Sequence, residues 1–294
     1  MPDALSDAPL PTAVRVHLAH AVVQRIADDA AVDLLHLKGP ALLPGLRPPG
    51  RKSSDVDVLV RPAHYARLEE ALARRGWEAH THLQTGSAFA HAANWWHSDW
   101  GYADLHARWP GAMVSPEDTF DALAEHAFDH DIAHVPCRVP GKVAQVLVLL
   151  LHAARTTGST DARYVWDTQT LEEQAAVTAL AQRLQAQVGL ASALGDLDSY
   201  RDDPSYALWR YYAEGGSRID EWRARYAAAG GRAERWQVVR SALTVNPDHL
   251  HTTLGRAPTT AELRRAQLTR VTTLLGDVRR AVTLRWRARR GSTR

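Results

Sequence analysis

Residues 55–60 read Asp-Val-Asp-Val-Leu-Val, two carboxylates set alternately into an apolar run of strand length. Successive side chains on a strand point to opposite faces, so Val56, Val58 and Val60 take one face and can bury against helices. Asp55 and Asp57 share the other face, about 7 Å apart along the backbone. A carboxylate in such a run is costly to bury unless it is paired or bound to a metal. The pattern therefore asks for a fold that keeps a cation against the middle of a sheet. Magnesium, a hard cation that takes oxygen ligands, is the natural candidate.

The chain has 294 residues, 45% of them apolar, which is enough for one large domain or two ordinary ones. Apolar runs such as Val143 to Leu151 are shorter than the roughly 20 residues a bilayer span needs, so no membrane span is expected. The first residues, MPDALSDAPLPTAV, carry acids and prolines where a secretory leader needs a basic start and a continuous apolar segment. A cytoplasmic location follows as an expectation. Cys137 stands alone, which excludes an internal disulfide and the usual zinc clusters and leaves a buried, inert thiol. No Gly-x4-Gly-Lys-Ser/Thr loop and no strand-linked Gly-x-Gly-x-x-Gly occurs, which argues against a P-loop kinase and a dinucleotide-dependent oxidoreductase. Net charge is +2, yet no acidic residue follows Asp277 while seven arginines do. Such a tail can contact nucleic-acid phosphates or complement the negative end of a helix dipole.

Apolar spacing predicts a helix over 12–29 and a short buried strand over 32–37 that ends at Lys38-Gly39. Five prolines and glycines between Pro44 and Gly50 make 40–52 a loop with one helical turn at 41–43. After the strand at 55–60, Pro62 opens an amphipathic helix through Tyr65, Leu68, Leu72 and Arg75 that stops at Gly76. Alternation from Trp77 to Arg108 suggests two or three antiparallel strands, the last being Gly101-Tyr102-Ala103-Asp104-Leu105-His106. A short helix after Pro116 and an extended piece over 134–139 follow. Composition shifts near Pro140, and helices are expected over 143–154, 168–184, 206–212, 218–229, 233–245 and 260–288. The expected organisation is a domain of residues 1–139 and a helical C-terminal domain of residues 140–294 with a basic tail.

Asp104 lies between apolar Ala103 and Leu105, so a neighbouring antiparallel strand can bring it beside Asp55 and Asp57 as a third acid. The set Leu37-Lys38-Gly39, Arg51-x-Ser53-x-Asp55-x-Asp57-x-Leu59-Val60 and Asp104-Leu105-His106 resembles an uncharacterised bacterial nucleotidyltransferase-like family of the polymerase-beta superfamily, over about residues 30–170. The resemblance implies an α+β fold, a mixed sheet flanked by helices. It implies Lys38 and Gly39 in a phosphate-holding turn, and two divalent ions, magnesium or alternatively manganese, on Asp55, Asp57 and Asp104. In the wider superfamily that turn usually reads Gly-Ser, but every Gly-Ser pair here (at Gly86, Gly158, Gly216 and Gly291) follows the acids. Lys38 supplies charge where Gly-Ser would supply amides.

Among the remaining residues, Arg51 can meet phosphates bidentately, and Ser53 joins it as a nucleotide-binding candidate. His106 shares a strand face with Asp104 and can orient an acceptor or a phosphate. Leu151-His152 and Tyr164-Val165-Trp166-Asp167 match a helical segment of the family, which makes His152 and Asp167 candidates to border an acceptor pocket. Trp95, Trp96 and Trp100 lie near the acids, where one can stack a base. The expected activity is transfer of a nucleoside monophosphate from a triphosphate such as ATP to an acceptor hydroxyl, with pyrophosphate released. The acceptor is a small molecule, a peptide or protein, or an RNA such as transfer RNA. The alternative is a non-catalytic nucleotide-binding module on the same fold.

Overall fold

The computed structural model describes residues 10–83, 91–156, 160–246, 250, 254, 258–270 and 272–273. A helix α1 (Thr12–Asp29) precedes β1 (Leu34–His36), a single 3-10 turn (Gly39–Ala41), β2 (Asp55–Val60), α2 (Tyr65–Arg74), β3 (Glu78–Ala79), β4 (Ala92–His97) and β5 (Gly101–His106). The five strands form one sheet in the order β1-β2-β5-β4-β3. Both outer pairs and β4–β5 run antiparallel, but β2 and β5 run parallel. This corrects the antiparallel neighbour expected for the strand of Asp104. The tight connection from β4 forces β5 antiparallel to β4, and the passage through α2, β3 and β4 returns the chain beside β2 in its own direction.

The two sheet faces have different neighbours. Val56, Val58, Val60, Ala93, Trp95, Ala103 and Leu105 pack on Ala19, Val23 and Ile26 of α1 and on Leu68 and Leu72 of α2. Tyr65 ties α2 to the sheet by donating its hydroxyl hydrogen to the Leu105 carbonyl at 2.9 Å. On the opposite face, Leu35 and Leu59 join Leu37 in a second apolar cluster with Trp109 and with the helices that follow. Those helices are α3 (Pro116–Ala124), α4 (Lys142–Ala153), α5 (Asp161–Asp167), α6 (Leu171–Arg183), α7 (Gln187–Leu194) and α8 (Tyr206–Glu214), after which come α9 (Arg218–Ala228) and α10 (Arg232–Leu243). Between α3 and α4, β6 (Phe128–Ile132) and β7 (Val135–Val139) make a separate hairpin.

The helix expected over 168–184 is α6, which begins at Leu171, and α5 precedes it as a separate helix. Thr170 breaks the run by capping α6, accepting from the Glu173 amide while the Glu173 carboxylate accepts from the Thr170 amide. Beyond α10, helical backbone covers 260–270, and the arginine tail after Asp277 lies outside the described residues. Among the described residues no helix is long and apolar enough to cross a membrane.

Candidate active site

The parallel pairing of β2 with β5 sets Asp57 opposite Asp104, and Asp55 opposite Tyr102. The antiparallel pairing of β4 with β5 adds Asn94 beside Asp104, and Trp96 beside Tyr102. Because side chains alternate, the face that Asp55 and Asp57 share also carries Tyr102, Asp104, His106 and Asn94. Asp57, Asp104 and His106 each offer a ligand atom, and these atoms lie within 4.8 Å of one another. Asp55 sits one row further out on the same face.

The acids differ in their electrostatics. Asp57 is 2% exposed. Lys38 Nζ stands 2.9 Å from its Oδ1, and His106 Nε2 lies 3.1 Å from the same oxygen. Burial would raise this carboxyl, but Lys38 and then His106 outweigh it and hold Asp57 well below the usual carboxylate range. Asp104 accepts from the Asn94 amide. Burial, followed by the charges of Asp57 and Asp55, pushes it up to about 7. Burial and then Asp57 also raise Asp55. Three carboxylates therefore crowd one lysine, a deficit of positive charge that a divalent cation corrects. The oxygen donors of Asp55, Asp57 and Asp104 fit magnesium or manganese. Since a carboxylate only accepts, the His106 Nε2 carries its hydrogen toward Asp57, and burial keeps the ring neutral. This makes His106 a buttress of Asp57.

Beside the acids, the chain turns at Gly39, whose φ is +66°. A Cβ there would lie 2.8 Å from Ser53 Oγ and 3.5 Å from His20 Nε2, so both backbone conformation and space require glycine. Ser53 Oγ donates to the Asp55 carbonyl at 3.4 Å. Gln145 of α4 fixes the exit from the turn: its Oε1 accepts from the Leu43 amide at 2.9 Å, and its Nε2 donates to the Ala41 and Pro140 carbonyls.

Under the turn lies a buried relay that the sequence reading missed. Gln24 Nε2 donates to Asp28 Oδ1 at 2.8 Å, which turns Gln24 Oε1 toward His36 Nε2 at 3.1 Å. His36 Nε2 is then a donor, its Nδ1 a bare acceptor, and His20 Nδ1 the donor across 2.8 Å. Burial holds both rings neutral, with His20 lowered to about 3. His20 and Gln24 stand four residues apart among the apolar residues of α1. That polar pair at one-turn spacing was the available signal.

Of the other expected residues, Arg51 is engaged with Asp161 of α5, its Nη2 at 2.8 Å from Oδ1, on an exposed surface. His152 is half-buried on α4, and burial together with the charges of Lys38 and Arg155 lowers it to about 3. Asp167 is exposed at the end of α5 and is not joined to the acids. Trp95 is buried in the α1–α2 core on the other face, and Trp100 packs against that core. Trp96 is on the acid face, stacked with His80 at 5.7 Å beside Tyr102. Arg155, which the sequence reading passed over, lies just beyond α4 with its guanidinium 5.6 Å from the centre of the Trp109 ring.

Three solved structures illustrate the likeness of the chain to known proteins. A lincosamide antibiotic adenylyltransferase with lincomycin bound is 16% identical, with 55% of this chain and 97% of that chain covered at a TM-score of 0.35. The antibiotic-resistance factor ANT(2'')-Ia is 17% identical, with 65% and 94% covered and a TM-score of 0.37. An antigenic nucleotidyltransferase-like protein from Paracoccidioides brasiliensis is 18% identical, with 68% and 94% covered and a TM-score of 0.37. No curated protein sequence matches significantly. The model of one family, described as uncharacterised nucleotidyltransferase, matches residues 4–195. With β1, β2, β5 and their three acids inside that match, the chain belongs to this nucleotidyltransferase family.

Proposed function

We propose that the protein moves a nucleoside monophosphate from a nucleoside triphosphate to an acceptor hydroxyl, with Asp55, Asp57 and Asp104 holding magnesium. The observation that carries this reading is the register of β2 against β5, which sets Asp57 beside Asp104 with Asp55 on the same face. Membership of a nucleotidyltransferase family supports it. In this reading, residues 1–139 supply the acids and the Lys38-Gly39 turn, and residues 140–294 close the site from the opposite side.

Divalent magnesium bound to the three acids would neutralise the triphosphate and orient the attacking and leaving oxygens. The protein groups do the rest. Lys38 balances Asp57 and offers an ammonium to the phosphates, while His106 fixes the orientation of the Asp57 carboxylate. In this reading the Gly39 turn is the phosphate-holding turn, and its shape needs glycine because a Cβ there would meet Ser53 Oγ at 2.8 Å. Asn94 occupies Asp104 Oδ1, so Oδ2 is the oxygen placed to take the proton of the acceptor hydroxyl. The acceptor oxygen attacks the α-phosphorus in line, the bond to the bridging oxygen breaks, and pyrophosphate departs.

The test is pyrophosphate release with each of the four ribonucleoside triphosphates and magnesium, followed by mass spectrometry of the protein and of added small molecules and RNA. Release that disappears in Asp55→Ala/Asp57→Ala, with a nucleotide mass on an acceptor, is the expected result. Nucleotide binding that survives the double substitution, with no release under any condition, favours a non-catalytic binding module instead.

A further inference from the structure

Arg155 is a half-buried cation without a carboxylate partner among the described residues. Its Nε donates to the Leu151 carbonyl one turn back at 3.3 Å. Its guanidinium lies against the Trp109 ring, whose centre is also 6.0 Å from Lys38 Nζ. Trp109 is 1% exposed, and its indole N–H has no partner among the described residues. Two cations therefore share one buried indole, but only Lys38 makes an ion pair: it holds Asp57 at 2.9 Å, whereas Arg155 feels Asp57 at longer range and makes no ion pair among the described residues. A guanidinium removed from water without a directly paired anion is costly, and its planar fork matches phosphate oxygens in a bidentate fashion.

We propose that Arg155, with Lys38 beside the same Trp109 ring, forms the subsite for the leaving pyrophosphate, taking the β- and γ-phosphates of the triphosphate. This inference rests on the nucleotidyltransferase reading and assigns that site a residue from beyond α4. Lys38, which holds Asp57 at 2.9 Å, is shared between the acids and the phosphates. Arg155 has no such second task, so its removal should separate phosphate binding from assembly of the acids.

The experiment measures binding of inorganic pyrophosphate and of each nucleoside monophosphate, with magnesium, to the full chain and to Arg155→Met and Arg155→Lys. A charge-assisted hydrogen bond is worth enough that its loss reads as roughly 10-fold or more in affinity. Arg155→Met should therefore bind pyrophosphate at least about 10-fold more weakly and monophosphate unchanged, with Arg155→Lys in between. Its thermal midpoint without ligand should be equal to or above that of the parent, because no protein carboxylate loses a partner. A purely structural Arg155 would lower the midpoint and leave the pyrophosphate-to-monophosphate ratio alone, and that result overturns the subsite. Equal pyrophosphate affinity in parent and Arg155→Met also overturns it, while magnesium-dependent pyrophosphate release by the parent would leave the transferase reading standing. A parent that neither binds nor releases pyrophosphate overturns both.

Discussion

Asp104→Asn should make the metal-free protein more stable at pH 8 while removing its response to magnesium. The folded carboxyl is carried from the ordinary 3.8 to about 7, first by burial and then by Asp57 and Asp55. At roughly 1.36 kcal/mol per pH unit, this puts a penalty of about 4 kcal/mol on the folded state once the group is ionised. Solvent access to the partly open rim and adjustment of Asp55 reduce it to about 2–3 kcal/mol. The sign follows from proton counts: between about pH 4 and 7 the native carboxyl holds a proton that the unfolded chain has released, so the stability contributed by this group falls as pH rises. An asparagine keeps the oxygen that accepts from Asn94 and has no charge to lose. Urea unfolding of both proteins with a chelator at pH 4.5 and 8 checks the sign, since the parent-to-variant difference cancels the other titrating groups. The variant should gain about 2–3 kcal/mol on the parent between the two pH values. Added magnesium should then stabilise the parent and leave the variant nearly unmoved. A variant less stable than the parent at pH 8 without metal, or equally stabilised by magnesium, would refute the crowded-carboxylate account.

Other substitutions test other parts of the site. Gly39→Ala places a Cβ 2.8 Å from Ser53 Oγ at φ +66°, which should cost about 1–3 kcal/mol in chemical denaturation and weaken triphosphate binding. Asp57→Ala should fold, because the Lys38 ammonium it leaves unpaired is partly exposed and can be solvated, yet lose pyrophosphate release by about 10³-fold or more in a coupled assay. Arg61→Met removes the cation shared by Asp33, Glu117 and Asp121 and leaves those acids facing one another. We expect about 1–3 kcal/mol of lost stability at pH 7, shrinking with added salt. His36→Leu should break the relay under the turn and cost about 1–3 kcal/mol in a thermal melt, because it strands the buried His20 Nδ1–H and leaves Gln24 Oε1 only the long bond from the Arg138 amide.

Local signals made much of this site legible in the sequence. Asp55 and Asp57 announced themselves by alternation with valines, and the glycine after Lys38 marked the turn. Asp104 was recognisable as a carboxylate on a strand, but whether that strand ran parallel or antiparallel to β2 depended on the path through α2, β3 and β4, which no short window contains. The helix boundaries near Thr170 were blurred because helix propensity continues across the cap, and only the bonds between Thr170 and Glu173 show where α6 starts. Arg51 looked like a phosphate ligand from its position before β2, but in the fold Asp161, 110 residues away, engages it. Arg155 was missed for the converse reason: nothing near it in the sequence marks it, and its meaning comes from Trp109 and Lys38, which tertiary packing brings to it.

Gln145 grips the exit of the Gly39 turn near the start of α4, and Arg155 stands ten residues further along the chain, about 15 Å at helical rise. A single stiff rod thus sets the spacing between the turn and the distal arginine. If both contact phosphate as proposed, the entropy of bringing the turn and the arginine to one distance is spent when the protein folds, not when the nucleotide arrives. An inserted or deleted residue within α4 would rotate Arg155 by about 100° around the helix axis, so variation in substrate is better accommodated by the connections around this rod than by changes within it.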